Sequence, residues 1–404
     1  MIRDVLLLLK FVEIKNIISS SHNKVKSRRV IFIKMDTETL LNEGQTAKRA
    51  IRQNTSFKFL KRLILAVTIV GTVILLVYLD LVPQSVKELR PIGLQGNSGL
   101  LNTIKLFDNE NCVKKPTFNR TIYFIESKRP DNGILNLGPR QACAIESAAK
   151  NNPDFNVTLF ALHVNDTAEN NPYTKALRKY PNLKIVTTTL KDFAKGTIAE
   201  EWEKKGDIYK SKHSVVHFSD FMRLFVLWKY GGIYLDTDFI ILKSLNALQP
   251  GWSVAETGYW VASAAMSFDS DGYGHYVAEI LVREFMKTYN GSEYAYNGPG
   301  LLTRVAQRLC FTTETKKMKR GPCYDFEILD TKLFYPIGYN AKDPLFNPNN
   351  LTQTLDMVKN AYAVHCWNGL VGQVHLKKGT QAAIGVLAER HCPFTYESVQ
   401  DVFR

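Results

Sequence analysis

The sequence of 404 residues contains no internal repeat and no low-complexity tract, and it has no cysteine before Cys112. The part of the chain from Ile122 onwards has roughly 280 residues, which can bury one substantial core. Because it also lacks repeats, it fits one globular domain. Acidic residues are also few, with 38 Asp and Glu against 52 Lys and Arg and a formal net charge of +14. A basic chain of this kind raises the possibility of nucleic-acid binding.

The positive charge is concentrated in residues 1–62, which hold 14 Lys and Arg against 5 Asp and Glu and so contribute +9 of the total. The run from Leu63 to Leu79 carries no charge, and Leu81 and Val82 extend it past Asp80. A bilayer core requires about 17 to 25 residues of apolar helix, so this run predicts a membrane span. Because the basic residues precede the span, we interpret them as its cytosolic flank and predict no nucleic-acid partner.

This arrangement predicts a single-pass type II membrane protein whose longer, C-terminal part is lumenal. The predicted parts are a basic cytosolic tail (1–62, with Met35 as an alternative start), a signal anchor (63–82), a stem (83–120) and a lumenal domain (121–404). The stem contains Pro, Gly, Ser and Asn without sustained periodicity.

Cysteine usage agrees with a lumenal location. Six cysteines follow the predicted span: Cys112, Cys143, Cys310, Cys323, Cys366 and Cys392. An even number on the lumenal side predicts disulfides in an oxidising compartment, with six free thiols as the alternative. Cys310 and Cys323 are the first pair that we expect, because they are close in sequence. Five lumenal sequons predict a glycoprotein: Asn119, Asn156, Asn165, Asn290 and Asn350.

The lumenal part alternates between strand and helix patterns. Predicted strands cover 122–125, 157–162, 183–186, 233–235 and 239–242, and predicted helices cover 141–150 and 218–230. Such alternation indicates an α/β fold in which helices cover a mostly parallel sheet.

Asp236 and Asp238 are separated by one residue and follow a buried strand. Carboxylate oxygens suit Mg²⁺ and Mn²⁺, which commonly complete their shell with water and substrate phosphates. On a strand the two side chains would face one cleft, and in a turn they could still converge on one cation. A solvated turn is the alternative, and a three-residue pattern alone has little specificity.

The preceding segment predicts a helix at 218–230, with apolar residues at helical spacing. Ser219 is the predicted N-cap, and two glycines, Gly231 and Gly232, would turn the helix into the strand. Asp220 and Arg223 lie three residues apart on one helical face, where the guanidinium could bind a carboxylate or sugar hydroxyls. A surface ion pair is the alternative.

These segments resemble the DXD-containing α1,4-glycosyltransferases, of the lactosylceramide 4-α-galactosyltransferase and α1,4-N-acetylglucosaminyltransferase type. The matching motifs are Ser219-Asp220-x-x-Arg223, Tyr230-Gly231-Gly232-Ile233-Tyr234-Leu235-Asp236-Thr237-Asp238, Gly298-Pro299-Gly300, Phe334-Tyr335-Pro336-Ile337, Ala363-Val364-His365-Cys366-Trp367-Asn368 and His391-Cys392-Pro393. The resemblance extends over roughly 122–399. It implies a Rossmann-like, nucleotide-sugar-binding domain of the GT-A type and a retaining transferase that uses a UDP-sugar and Mn²⁺.

The resemblance also implies roles for individual residues. Asp236 and Asp238 would bind the metal and nucleotide, and Asp220 and Arg223 the donor sugar, with the DXD half at about 121–260 and the α1,4-glycosyltransferase region at about 261–404. His365 is a candidate third metal ligand, with a buried core histidine as the alternative. The carboxyl end of the first strand is where nucleotides bind in open α/β sheets. Glu126 and Ser127 are therefore predicted cofactor-binding residues, and Tyr234, in the motif that contains the two acids, is a further one.

The chain departs from the family pattern on the strand that follows the acids. Relatives often carry an Asn there, where this chain has Ala262-Ser263-Ala264. The choice of donor or acceptor is the property that this departure affects. No pattern in the sequence marks an acidic residue as a nucleophile. We therefore favour attack by the acceptor hydroxyl on the face of the donor sugar from which UDP leaves.

The resulting hypothesis is a Golgi membrane enzyme that moves galactose or N-acetylgalactosamine from UDP to a glycosphingolipid such as lactosylceramide. Its expected partners are UDP-galactose or UDP-N-acetylgalactosamine, a glycolipid acceptor and the Golgi membrane. The alternatives are an α1,4-N-acetylglucosaminyltransferase acting on glycoprotein glycans, and a catalytically silent lumenal sugar-binding protein.

Overall fold

The structure, a computed structural model, describes residues 118–167, 171–371 and 374–403. The predicted cytosolic tail, the membrane span, Cys112 and nearly all of the stem lie outside these residues. Within them, no helix is both long enough and apolar enough to cross a bilayer.

The centre of the fold is a seven-stranded sheet with the order β3-β2-β1-β4-β7-β6-β8. The strands in the described residues are β1 (Thr121–Glu126), β2 (Asn156–Leu162), β3 (Leu183–Thr188), β4 (Gly232–Leu235), β5 (Phe239–Ile241), β6 (Trp252–Ala255), β7 (Val261–Phe268), β8 (Glu327–Leu329), β9 (Ala363–His365), β10 (Leu376–Lys377) and β11 (Val402–Phe403). The pairs β3-β2, β2-β1, β1-β4 and β6-β8 are parallel, and β7 is antiparallel to both of its neighbours. The predicted α/β class with a mostly parallel sheet is confirmed.

Helices cover both faces of this sheet. The α-helices of the described residues are α1 (Pro139–Asn151), α2 (Pro172–Leu177), α3 (Leu190–Ala194), α4 (Glu200–Lys205), α5 (Ser214–Tyr230), α6 (Gly272–Thr288), α7 (Pro299–Cys310), α8 (Leu351–Val358), α9 (Asn368–Val371), α10 (Ala383–His391) and α11 (Pro393–Ser398). Strand β1 shows why two core layers form. Ile122 and Phe124 belong to one buried cluster and Tyr123 and Ile125 to the other, because successive side chains of a strand point to opposite faces.

The prediction that Ser219 caps its helix is wrong. Helix α5 begins at Ser214, and His213 precedes it. No Gly or Pro interrupts the segment from Ser214 to Ser219, so the helix extends one turn further towards the N-terminus. Ser219 lies inside the helix instead, where its Oγ accepts a hydrogen bond from Arg223 Nη2 at 2.8 Å.

Two disulfides stabilise the described part of the chain. Cys310 bonds to Cys323, which confirms the predicted pair, and Cys143 of α1 bonds to Cys392 between α10 and α11. The second bond joins the DXD half to the C-terminal region. Cys366 is a free, buried thiol.

Candidate active site

The turn that carries the two acids is shaped by two glycines. Gly231 and Gly232 have φ values of 65° and 102°, a region that side-chain-bearing residues rarely adopt. A Cβ atom at Gly231 would lie 2.5 Å from the backbone nitrogen of Ser270, so the helix-to-strand connection is also sterically closed to larger residues. Strand β4 ends at Leu235. The two acids therefore lie in the turn before β5, and turn geometry rather than strand periodicity brings them together.

The three predicted metal ligands lie together. Asp236, Asp238 and His365 each offer one ligand atom, and these atoms are all within 4.8 Å of one another. We call these three residues the cation cluster. His365 reaches it because β9 pairs with β5, where Phe239 is the register partner of His365. His365 Nε2 lies 3.0 Å from Asp238 Oδ1, and the backbone N–H of Asn368 donates to Asp238 Oδ2 at 3.2 Å.

The donor set fits a divalent cation. It combines two carboxylates with one imidazole, the ligand types that Mn²⁺ accepts. The Trp367 backbone N–H donates to His365 Nδ1 at 3.3 Å, so a neutral imidazole carries its proton on Nε2, facing Asp238. A cation bound by Nε2 would replace that proton, as metal binding to His generally does.

Asp220 and Arg223 form a buried network rather than a surface ion pair, since they are only 2% and 6% exposed. Arg223 Nη2 lies 3.5 Å from Asp220 Oδ1, and Arg223 Nη1 lies 3.3 Å from Asp236 Oδ1. Nη1 also donates to the backbone oxygen and the Oγ of Ser263, at 3.0 and 3.1 Å. One guanidinium thus connects the helix, the turn and the Ala262-Ser263-Ala264 segment.

Tyr234 lies behind the acids and orients one of them. Its hydroxyl donates to Asp236 Oδ1 at 2.5 Å, and its ring lies 4.9 Å from the Arg223 guanidinium carbon. The side chain is 1% exposed. A direct bond between Tyr234 and a nucleotide stays a prediction.

Glu126 and Ser127 follow β1 at the predicted edge of the sheet. The Glu126 carboxylate accepts hydrogen bonds from Gln141 Nε2 at 2.5 Å and from the Lys128 backbone N–H at 2.8 Å. Ser127 Oγ donates to the Val215 backbone oxygen at 2.7 Å. Burial raises the pKa of Glu126, and these hydrogen bonds oppose that shift.

A single cleft of about 980 Å³ contains all eight predicted site residues in its lining. They are Glu126, Ser127, Asp220, Arg223, Tyr234, Asp236, Asp238 and His365. Its volume is at the upper end of the range typical of ligand-binding clefts. The tertiary structure thus gathers residues that are far apart in the sequence, from Glu126 to His365, into one concave site.

The electrostatics of the cleft favour added positive charge. Burial raises the pKa of Asp220 to about 7, although Arg223 opposes the shift, and burial likewise raises the pKa of Asp236. The pKa of Asp238 is lowered because His365 and the Asn368 N–H outweigh its burial. The His365 pKa is raised, since the charge of Asp238 outweighs desolvation. Several carboxylates of the cleft thus share a few positively charged partners. A bound cation would reduce the electrostatic repulsion between these carboxylates.

The sequence does not distinguish every functional residue of the lining. Glu256 follows β6, and Tyr294, in the loop between α6 and α7, is one of several aromatic residues that could stack on sugars. Trp367 and Asn368 belong to a matching motif, but only the structure shows the positive φ of 55° at Trp367 and the backbone N–H that Asn368 donates to Asp238. Glu256 carried no usable signal, because one acid after a strand is a common pattern.

Comparison with known proteins decides the family. Residues 138–255 match the description "glycosyltransferase sugar-binding region containing DXD motif", and residues 270–399 match "alpha 1,4-glycosyltransferase conserved region". Mouse lactosylceramide 4-α-galactosyltransferase is 31% identical over 286 residues, which are 69% of this chain and 76% of that protein. The chain belongs to the α1,4-glycosyltransferase family. The resemblance inferred from the motifs is therefore confirmed, and this α1,4-glycosyltransferase is an enzyme.

More distant similarities are of two kinds. Human α1,4-N-acetylglucosaminyltransferase is 24% identical over 268 residues, which are 64% of this α1,4-glycosyltransferase and 75% of that protein. A solved structure of the galactosyltransferase LgtC with donor and acceptor sugar analogues is 12% identical and covers 69% of this chain and 95% of its own, with a TM-score of 0.35.

Proposed function

We propose that this α1,4-glycosyltransferase transfers galactose, or N-acetylgalactosamine, from UDP to a glycosphingolipid such as lactosylceramide, with retention of anomeric configuration. The observation that carries the proposal is the convergence of Asp236, Asp238 and His365 beside the buried pair Asp220 and Arg223, in one cleft. The similarity to lactosylceramide 4-α-galactosyltransferases supports galactose as the donor sugar and lactosylceramide as the acceptor.

The cation cluster would hold Mn²⁺, and the ion when bound neutralises charge that develops on a departing diphosphate. The chain's own residues prepare that place. Arg223 holds Asp236 at 3.3 Å, and Tyr234 donates to the same oxygen, so the carboxylate has a fixed orientation. Such preorganised charges stabilise a leaving group without reorganising during the reaction.

Asp220 is the proposed partner of donor-sugar hydroxyls. Its Oδ2 atom is buried and has no hydrogen-bond partner within the described ranges, although the side chain lines the cleft. An unsatisfied buried oxygen is costly unless a ligand donor completes it. A sugar hydroxyl would do so.

For the retained configuration we propose same-face attack, in which the new bond forms on the side from which UDP leaves and a phosphate oxygen takes the acceptor proton. A covalent adduct on one carboxylate, trapped and found by mass spectrometry, would contradict this choice.

The finer structural assignments belong to the same proposal. We infer a GT-A type nucleotide-sugar-binding domain, with nucleotide contacts near Glu126 and Ser127. We also infer a single-pass type II Golgi protein, anchored by residues 63–82 with its catalytic domain lumenal. The apolar run and its basic flank support that topology.

The full chain in detergent, supplied with Mn²⁺ and lactosylceramide, tests the activity. UDP-galactose, UDP-N-acetylgalactosamine and UDP-N-acetylglucosamine should be compared as donors, with the product linkage read by NMR. We expect an α1,4-linked product from one of the first two. Preference for UDP-N-acetylglucosamine with glycoprotein glycans would favour the second candidate, which the similarity to the human enzyme of that name supports. Absence of turnover with every donor, in folded protein, would indicate a silent sugar-binding protein.

A further inference from the structure

Two side chains of the cleft have no role in the proposed donor site. Glu256 follows β6, and Tyr294 lies in the loop of residues 289–298. We call Glu256 and Tyr294 the open pair. Tyr294 is 61% exposed, although it lines the cleft. Both groups are therefore accessible to a ligand that occupies the cleft.

The Glu256 carboxylate differs from the other acids of the cleft. Asp236, Asp238 and Glu126 all hold hydrogen bonds or ion pairs, whereas no residue of the described ranges donates to the Glu256 carboxylate or forms an ion pair with it. The side chain is only partly exposed, and burial raises its pKa. A partly buried carboxylate without donors is completed most readily by ligand hydroxyls.

The position of Glu256 suits a group beyond the donor diphosphate. The Asp236 backbone N–H donates to the Ala264 oxygen of β7 at 2.8 Å, and β7 pairs in turn with β6. Glu256 is therefore two strands from Asp236, roughly 10 Å across the sheet. Glu256 still contributes to the electrostatic field at His365. A separation of this size leaves room for a sugar ring between Glu256 and the cation cluster.

Tyr294 is presented by a loop that is anchored in the protein core. Buried His217 contacts the Glu293 backbone oxygen through Nε2 at 3.0 Å. Buried Asn297 accepts from the Asn290 backbone N–H at 2.9 Å and donates to its oxygen at 2.7 Å. The aromatic ring is thus held at the cleft by the anchored loop backbone and by an edge-to-face contact with the His213 ring, whose centroid lies 5.4 Å away.

The same loop is built against the donor side of the cleft. A Cβ atom at Gly298 would lie 2.3 Å from Asp220 Oδ1, so the loop backbone and the Asp220 carboxylate are in close contact. Tyr294 is therefore coupled in position to the proposed donor-sugar residue. An acceptor placed on this ring would be aligned with the donor.

We propose that Glu256 and Tyr294 bind the terminal sugar of the acceptor and select a neutral hexose, an inference that rests on the function proposed above. The aromatic ring offers an apolar face for one side of the sugar ring. The carboxylate accepts hydrogen bonds from its hydroxyls. An acidic sugar such as a sialic acid is disfavoured at this position, because its carboxylate would lie against the Glu256 carboxylate, with which no described residue forms an ion pair.

The test compares initial rates of the full chain with UDP-galactose and either a lactose-terminated glycolipid or its sialylated form. In Glu256→Gln we expect the KM for the lactose-terminated acceptor to rise about tenfold, the change that loss of one charged hydrogen bond produces. In Tyr294→Ala we expect a rise of about the same size, because the apolar face for the sugar ring is lost. The KM for UDP-galactose should change by less than about twofold, since donor contacts are made elsewhere. Tyr294→Phe should retain the wild-type acceptor KM, because the ring rather than the hydroxyl is required.

Two further measurements separate binding from folding. Calorimetric titration of the lactose-terminated acceptor, with Mn²⁺ and UDP present, should show the same loss of affinity without turnover. Glu256→Gln should also narrow the preference for the neutral over the sialylated acceptor. Tyr276→Ala and Glu201→Gln, which change exposed side chains outside the cleft, are the matched controls and should behave as wild type.

The possible failures are distinguishable. Unchanged acceptor KM in both variants would overturn the inference while leaving the proposed function intact. Equal rises in donor and acceptor KM would also overturn it, since they would indicate a general distortion of the cleft. A wild-type protein that hydrolyses UDP-galactose yet uses neither acceptor would overturn the proposed acceptor class, and this inference with it.

Discussion

The cation cluster and the open pair lie in one cleft but are built in opposite ways. In the cation cluster, Asp236 and Asp238 hold protein partners, and Arg223 and Tyr234 fix the orientation of Asp236. In the open pair, Glu256 has no donor within the described ranges. The difference agrees with separate proposed roles, cation binding for the cluster and acceptor binding for the open pair. The proposed transfer step requires preorganised charge, whereas the proposed acceptor site leaves groups for the ligand to satisfy.

The largest expected effect is the loss of turnover in Asp238→Asn. The neutral amide cannot supply the carboxylate charge that a cation requires, so kcat should fall about 100- to 1,000-fold or more. Steady-state kinetics with saturating Mn²⁺ measures this. Thermal stability should change little, because an amide preserves the shape and still accepts hydrogen bonds. Asp356→Asn, an exposed acid paired with Lys359, is the control. Full activity in Asp238→Asn would contradict the metal assignment.

Arg223→Met tests whether the residues around the cation cluster also stabilise the folded protein, and we expect the variant to be less stable. The change leaves Asp220 and Asp236 buried without their common partner, which should cost roughly 3–5 kcal/mol in the free energy of unfolding. Urea denaturation of metal-free protein measures it. Arg283→Met removes an exposed ion pair with Glu279 and should cost about 0–1 kcal/mol. Similar losses in the two variants would show that the buried network is no different from a surface pair.

His365→Gln tests the contribution of the C-terminal region to cation binding. Removal of the imidazole should lower the affinity for Mn²⁺ at least roughly 10- to 100-fold, because the loss of a partner that only orients a metal ligand already costs that much. The shift in melting temperature with added Mn²⁺ measures this without an activity assay. His391→Gln, which lies outside the cleft, should keep the wild-type shift. An unchanged Mn²⁺ response would identify His365 as a core histidine.

Asp220 predicts a pH dependence of stability in the metal-free protein. Its pKa is raised from 3.8 to about 7 by burial, so the folded state binds a proton that the unfolded state releases. This contribution to stability is present below about pH 4 and is lost as the pH rises through about 7. In Asp220→Asn, the fall in the free energy of unfolding between pH 4 and pH 7.5 should be smaller than in wild type. Urea denaturation with a chelator present measures both, and parallel pH profiles would contradict the prediction.

The smallest expected effect is the change in protein stability when Glu256 of the open pair is substituted. Glu256→Gln should change the free energy of unfolding by no more than about 0.5 kcal/mol, because no described residue donates a hydrogen bond to its carboxylate or forms an ion pair with it. The same denaturation experiment applies. A loss comparable to that in Arg223→Met would remove the distinction between the two regions.

Particular residues show how far the sequence could lead. Asp236, Asp238, Asp220 and Arg223 were recognisable because their motif is local, and the α/β class followed from alternating patterns. Ser219 was misplaced as a cap, since a helix start is decided by where the upstream chain finds packing. Glu256 is not recognisable from the sequence, because a role in binding depends on which residues lie near it in the folded cleft.

By itself, the sequence determined the family, the paired acids at the end of β4, the short disulfide loop and the apolar run with its basic flank. Each is encoded in contiguous or nearby residues. Only the tertiary structure decided that β9 brings His365 beside Asp238, that Arg223 joins two acids, and that one carboxylate remains without a partner. These are distances between segments far apart in the chain, and they depend on strand register and packing rather than on local pattern.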